Sequence, residues 1–148
     1  MLDILAYPEI NTYNGQTSVN IRIADLRRSG IPQQKYFAAR DAYERYKRGE
    51  GAEKALIPRI VPERNELAAV YRAIPQSRDA DFDSVYFSVC SDDINYCKFR
   101  LALDIFEELG LIVTDGYAET VRRLPAEKKV NLDDSQLLAE LRQLSQQN

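Results

Sequence analysis

The sequence predicts an α+β fold, with an N-terminal β-hairpin followed by a mainly helical part that contains a second hairpin. Asn14-Gly15 and Asp115-Gly116 are turn signals, because both central residues of a type I′ turn need positive φ. Between them, apolar residues recur three and four positions apart, the period of helices packed on a core. The sequence therefore predicts three parts: a hairpin over 1–30, a helix and connector over 31–61, and a helical domain over 62–148.

The first hairpin is predicted to extend from Glu9 to Arg28. Pairing Tyr13 with Gln16 across the turn leaves one apolar face, formed by three cross-strand pairs: Ala6 with Ile23, Pro8 with Ile21 and Ile10 with Val19. The opposite face is polar and aromatic, and it holds Tyr7, Glu9, Asn11, Tyr13, Ser18, Asn20 and Arg22. Since an isolated two-stranded hairpin is marginal in water, we expect this one to be the remnant of a larger sheet.

Residues 31–61 are predicted to form a helix and then an extended connector. Pro32 suits the first helical position, and Gly49 to Gly51 ends the element. One stripe of the helix carries Tyr36, Ala39, Tyr43 and Tyr46. Tyrosines can stack on nucleic-acid bases, but this helical spacing favours a place in the core. The prolines of Ile57–Pro62 predict an extended link between subdomains.

The part from residue 62 onward is predicted to follow the element order of a winged helix. A helix over about 63–74 comes first, and a short apolar element at Val85–Cys90 comes second. Ser91 is predicted to cap a long helix that ends near Leu109. Its apolar residues cover too wide an arc for a surface helix, which predicts a central place in the core. A hairpin follows, with strands predicted at Leu111–Thr114 and Tyr117–Leu124.

The chain is predicted to end in a further helix. Asp133 and Gln136 have the spacing of a capping box at its start. Four leucines recur at helical spacing and are predicted to dock it on the core: Leu137, Leu138, Leu141 and Leu144.

The composition limits the chemistry that the chain can perform. With no histidine, it has neither a Ser-His nor a Cys-His nucleophile pair, nor a histidine-bearing metal site. Carboxylates remain as ligands for a divalent metal. Cys90 and Cys97 have no metal-site spacing and are predicted to be small buried hydrophobes in a reducing compartment. The apolar runs are far shorter than the roughly 20 residues of a membrane span, and the first residues lack a basic start, so we expect a cytoplasmic protein.

Charge is distributed unevenly along the chain. Residues 1–72 contain 12 Lys/Arg against 9 Asp/Glu, whereas residues 73–148 contain 8 against 14. The basic bias is strongest between Arg22 and Arg48, where eight basic residues face three acidic ones. Such a bias is typical of a surface that binds a polyanion, although a solvated helix face produces the same pattern.

Two tracts resemble RecJ, the bacterial exonuclease specific for single-stranded DNA that works in the 5′→3′ direction. EINTYNGQTSVNIRIADLRR is similar to the closing hairpin of its OB domain, with Asp25-Leu26-Arg27 at the expected end. The stretch from Pro62 through Leu103–Leu111 resembles its C-terminal extension, and Lys129-Val130-Asn131-Leu132 resembles the tail of that extension. The resemblance implies the end of an OB domain followed by a C-terminal extension, in a protein of recombination and repair.

The resemblance also implies which chemistry lies outside this chain. The nuclease centre of RecJ is an N-terminal domain whose Asp and His residues bind manganese, and no such motif occurs here. No catalytic residue and no cofactor is therefore expected in the chain, while manganese or magnesium is expected for the parent nuclease. The expected partners are single-stranded DNA, the rest of the exonuclease chain and a repair protein, with no membrane. OB surfaces stack bases on aromatic residues and bind phosphates with basic ones, which makes the candidate DNA-binding residues Tyr7, Tyr13, Arg22, Arg27, Arg28 and Lys35.

Two roles and one other class of protein stay open from the sequence. The chain is either a DNA-binding accessory or a module that docks other proteins. The long helix predicted from Asp92 to Leu109 has two basic residues against five acidic ones, which disfavours insertion into a DNA groove. The other class is a free-standing winged-helix interaction protein with no nuclease attached.

Overall fold

The computed structural model describes residues 2–30, 32–50, 57–125 and 130–146, without the side chains at positions 27, 28, 57 and 58. The protein is of the predicted α+β class. Its contacts divide it into two compact units, residues 1–33 and 34–148, with the first long helix in the second unit.

The first unit is a long antiparallel hairpin whose predicted register is confirmed. Strands β1 (Leu2–Tyr13) and β2 (Gln16–Arg28) pair Tyr13 with Gln16, and they also form the three predicted apolar pairs. Asn14 and Gly15 both have positive φ, 51° and 76°, as the turn requires. The strands extend further than the sequence predicted, and a β-bulge between Leu5 and Ala6 shifts the register near the open end.

The second unit contains six helices, a one-turn 3₁₀ helix and a small sheet within its described residues. The helices are α1 (Gln33–Lys47), α2 (Ile57–Ile60), α3 (Arg64–Ala73), α4 (Phe82–Val89), α5 (Tyr96–Glu108) and α6 (Gln136–Gln146). Strands β3 (Ala80–Asp81), β4 (Ile112–Asp115) and β5 (Thr120–Arg123) form an antiparallel sheet in the order β3-β5-β4. The 3₁₀ helix spans Leu132–Asp134.

Helix α5 is the centre of the second unit, as predicted. Nine of its 13 residues are buried, and Phe99, Leu101 and Ile105 have no exposed surface. The tyrosine stripe of α1 also lies at the core, since Tyr43 is buried and Tyr36, Ala39 and Tyr46 pack against buried residues. The prediction that this stripe is structural is confirmed.

The start of α5 differs from the prediction. The helix begins at Tyr96, where the Asn95 side chain accepts a hydrogen bond from the Lys98 amide at 3.0 Å. Ser91 instead accepts from the Ile94 amide at 3.1 Å, in the turn that precedes the helix. Both residues are good N-caps, and the sequence alone did not show which one caps the helix.

Two further elements differ from the sequence prediction. The stretch Ile57–Ile60 forms one helical turn rather than an extended connector, with Pro58 in the first turn, where its missing N–H is tolerated. The second hairpin has a four-residue turn rather than the two-residue turn predicted at Asp115-Gly116. The Asp115 carboxylate accepts hydrogen bonds from the Tyr117 and Ala118 amides, both at 2.9 Å, and Glu119 takes the positive φ of 51°. An Asx turn therefore stabilises this wider loop.

Candidate nucleic-acid interface

The hairpin places three of the six candidate DNA-binding residues on one face. Tyr7 lies directly opposite Arg22, and Tyr13 belongs to the same face because side chains alternate along a strand. The two tyrosines are 57% and 80% exposed, so their rings are accessible to a ligand. Six residues of strand separate them by about 20 Å.

The guanidinium of Arg22 is available to a phosphate despite one ion pair. Its Nη1 lies 3.5 Å from Oε1 of Glu9, and both side chains are at least half exposed. An exposed pair of this kind contributes at most about 1 kcal/mol, so a phosphate group can compete with Glu9 for the arginine. This face of the hairpin therefore offers two aromatic platforms and one accessible cation.

The other three candidate residues are not assembled with this face by the described contacts. Arg27 and Arg28 pair through the backbone with Asp3 and Leu2 at the open end of the hairpin, and their side chains lie outside the described residues. Lys35 belongs to α1 in the second unit.

Lys35 lines a cleft of about 490 Å³ between α1, α2 and the start of α5. The charges of this cleft are mixed, because Lys35, Arg59 and Lys98 share it with Asp92 and Asp93. Lys98 is already held by Glu66, at 2.6 Å between Nζ and Oε1 in a buried ion pair. The cleft does not have the uniformly basic lining that a nucleic-acid backbone requires.

Helix α5 is wrapped by its neighbours and is not presented to solvent as a DNA-reading helix. Tyr43 of α1 donates to the Asp104 carboxylate at 3.1 and 3.2 Å, and Lys47 lies 3.3 Å from the same group. Burial raises the pKa of Asp104, although Lys47 and Tyr43 oppose that shift. The Arg100 guanidinium lies between the rings of Tyr43 and Phe82, 4.6 and 4.3 Å from their centres. These contacts are consistent with the net negative charge that disfavoured groove binding.

Much of the acidic bias in the second unit has a structural explanation. The Asp81 carboxylate caps α4 by accepting from the Ser84 amide at 2.7 Å, and Asp83 accepts from the Tyr36 hydroxyl at 2.8 Å. Further carboxylates pair with arginines: Asp79 with Arg122, Glu119 with Arg40, and Asp133 with Arg142. Sequence reasoning missed these roles, because most of the pairs join residues that are distant in the chain.

Glu108 has the clearest of these structural roles, and it corrects the predicted capping box. Its carboxylate accepts from the Gln136 and Leu137 amides at 2.8 and 3.3 Å, and also from the Ser135 hydroxyl. Ser135 in turn accepts from the Leu138 amide at 3.1 Å, whereas the predicted cap, Asp133, pairs with Arg142. A residue of α5 therefore satisfies the free N–H groups at the start of α6.

We expect the docking of α6 to depend on the charge of Glu108. The Ser135 hydroxyl bond, followed by the two amide bonds, lowers the pKa of Glu108 below its ordinary value. Stability from this group is therefore complete above the ordinary glutamate pKa and is lost as the pH falls through the lowered value. Glu108→Gln should cost about 1 kcal/mol at neutral pH, the value of a helix cap, and should flatten the acid limb of stability. Urea melts between neutral pH and pH 3 would measure both effects, and an unchanged acid limb would contradict this role.

The described residues show neither a metal centre nor a reactive thiol. No group of three or more Cys, Asp or Glu residues among them is placed to hold a metal ion. Burial raises the pKa of Cys97 to about 12, which keeps its thiol protonated and unreactive. Across the described ranges, no helix is both long and apolar enough to cross a membrane.

Comparisons with known proteins add no relative. No protein-family model matches the chain, and neither the curated proteins nor the solved structures contain a similar protein.

Proposed function

We propose that this chain is the non-catalytic C-terminal region of a RecJ-like exonuclease, in which it assists the handling of single-stranded DNA or the docking of a partner. The observation that carries the proposal is the hairpin register, which gathers Tyr7, Tyr13 and Arg22 on one exposed face. The resemblance of the hairpin and of the later tracts to RecJ supports the choice of parent protein. That parent is proposed to act in the cytoplasm, in bacterial recombination and repair.

The architecture is compatible with the two folds that we propose for the units. The hairpin would be two strands of an OB fold, which as a whole has five strands. The second unit has the order α3-β3-α4-α5-β4-β5 with sheet order β3-β5-β4, which supports a winged-helix-like assignment. Helix α1 would then be an addition that covers the central helix α5 through Tyr43 and Lys47.

The proposed DNA contact uses aromatic stacking and one phosphate contact, without sequence readout. Bases would stack on Tyr7 and Tyr13, and Arg22 would exchange Glu9 for a phosphate. Each stacked base contributes about 1–3 kcal/mol in proteins of this kind, so two platforms and few cations give weak binding. The rest of the exonuclease chain would supply the remaining DNA contacts.

The isolated chain should bind single-stranded DNA weakly and in a salt-sensitive way. Replacing Arg22, Arg27 and Arg28 together by Ala removes up to three phosphate contacts, so it should lower the affinity and reduce the slope of log K against log salt by about 2. Fluorescence anisotropy with a labelled oligothymidylate at several salt concentrations measures both quantities. As a matched control, Arg122→Ala and Arg142→Ala remove basic residues of the second unit and should leave the slope unchanged. Binding that the triple variant does not alter would assign the arginines to a solvated surface.

The isolated chain should have no nuclease activity with manganese or magnesium, since the metal ligands of the parent family lie outside it. Incubation with 5′- and 3′-labelled single-stranded DNA tests this expectation. Metal-dependent degradation from the 5′ end that persists after repurification would contradict the proposal that the chain is non-catalytic.

A free-standing interaction module of the winged-helix type is the second candidate function. The observation that favours it is the enclosure of α5, together with a fully exposed aromatic residue, Tyr117, on the β4–β5 turn. The genomic open reading frame separates the two candidates. Several hundred upstream residues with an Asp-His-His motif would support the exonuclease, and their absence would support the free-standing module.

A further inference from the structure

The hairpin has a second face, opposite the tyrosines, that is almost entirely aliphatic. The register places Ile4 with Leu26, Ala6 with Ile23, Pro8 with Ile21 and Ile10 with Val19 on this face. Its large side chains are more than half exposed: Leu2, Ile4, Ile10, Val19, Ile21, Ile23 and Leu26. We call these seven residues the aliphatic face.

The aliphatic face is larger than the apolar patches that monomeric proteins usually leave in water. Seven side chains that each lose about 100 Å² on contact would bury on the order of 700 Å², whereas a typical monomer's largest patch is about 300–600 Å². The same area is close to the roughly 800 Å² per partner of a stable protein interface. Within its own unit, the described hairpin contains no third element that could cover this face.

We propose that the aliphatic face is a self-association surface, on which two copies of the chain pack hairpin against hairpin. Two-fold packing of a surface against itself requires a self-complementary surface, and a face without charge meets that requirement. Its polar members, Thr12 and Thr17, lie beside the turn and contact each other at 3.4 Å. Interfaces between identical subunits are more apolar than other protein interfaces, as this face is.

The face, rather than the edge of β1, is the surface that the sequence favours for this contact. Pro8 interrupts the row of backbone donors along β1, which disfavours the addition of another strand to that edge. Two ribbons stacked face to face, about 10 Å apart, would form a four-stranded sandwich with the aliphatic side chains inside. The tyrosine faces would then point outward on both sides. This inference is independent of the proposed DNA contact, which uses the opposite face.

Sedimentation velocity of the 148-residue chain, from low to high micromolar concentration, tests the self-association. The expected result is a concentration-dependent dimer that Ile21→Lys converts to a monomer with at least a tenfold weaker association. Asn20→Lys is the matched control, because it adds the same charge one residue away on the opposite face and should leave the dimer intact. Circular dichroism melts of the second unit show whether each variant is folded.

A monomer at every concentration overturns the proposal, as does a dimer that Ile21→Lys leaves intact. A dimer that both lysine variants dissociate equally would also overturn it, because the contact would then not be specific to the aliphatic face. DNA titrations of the same samples keep the two proposals apart, since Ile21→Lys leaves Tyr7, Tyr13 and Arg22 in place.

Discussion

Replacing Leu103 with Asp is expected to unfold the second unit at room temperature. Leu103 is 2% exposed on α5, so the new carboxylate would be buried without a partner and an aliphatic side chain would be lost. The combined cost is about 4 kcal/mol or more, a large part of the 5–15 kcal/mol that stabilises an ordinary domain. Thermal melts followed by circular dichroism would show the cooperative transition disappear or shift strongly downward.

Two variants on the same helix separate this effect from a general sensitivity of α5. Leu103→Met nearly conserves the side-chain volume and should cost less than about 1.5 kcal/mol. Glu107→Lys changes an exposed residue, but it removes an acceptor that binds the Thr114 amide at 3.2 Å, so about 1 kcal/mol is expected. A folded, stable Leu103→Asp protein would show that this face of α5 is not the core.

Removing Glu66 is expected to have the second largest effect, because it leaves a buried cation unpaired. The side chains of Lys98 and Glu66 are 11% and 8% exposed, with 2.6 Å between Nζ and Oε1. Glu66 also accepts from the Glu63 amide at 2.7 Å, so it joins the start of α3 to the first turn of α5. Breaking a buried pair on one side costs about 3–5 kcal/mol, and we expect Glu66→Ala to fall in this range by urea denaturation.

A double replacement distinguishes the cost of an unpaired charge from the value of the ion pair. Glu66→Met with Lys98→Met replaces both charges by apolar side chains and should recover most of the stability that Glu66→Ala loses. Lys98→Met alone should cost less than Glu66→Ala, since the remaining carboxylate keeps its bond to the Glu63 amide. A double variant that is less stable than either single variant would mean that the pair itself stabilises the fold.

The features predicted from the sequence are those set by local chemistry. The hairpin register followed from the Asn14-Gly15 turn and from strict alternation, because a slip of one residue would have mixed the two faces. The central position of α5 followed from the wide arc of its apolar residues. Both signals lie within a short stretch of chain and need no knowledge of distant contacts.

The features that the sequence did not predict depend on distant or competing partners. The cap of α6 comes from Glu108, far earlier in the chain, so the local spacing of Asp133 and Gln136 was misleading. Strand β3 has two residues, too few to show a period, and it exists because β5 pairs with it. The Glu66–Lys98 pair likewise joins two elements whose contact cannot be read from local pattern.

The candidate site was predicted in part for the same reason. Alternation alone assigned Tyr7, Tyr13 and Arg22 to one face, and the structure has them there. Lys35 was chosen for the basic bias of its sequence region, which carries no information on position. It lies in the second unit, where it lines a cleft that also contains Asp92 and Asp93.

Nuclear magnetic resonance titration of the ¹⁵N-labelled chain with a short oligothymidylate tests the central claim most directly. Contact on the tyrosine face predicts progressive shifts of the Tyr7, Tyr13 and Arg22 amides and of their neighbours on β1 and β2, which added salt should reverse. The amides of α5 should not move. Shifts confined to residues 64–125, or a spectrum that oligothymidylate leaves unchanged at low salt, would contradict the account.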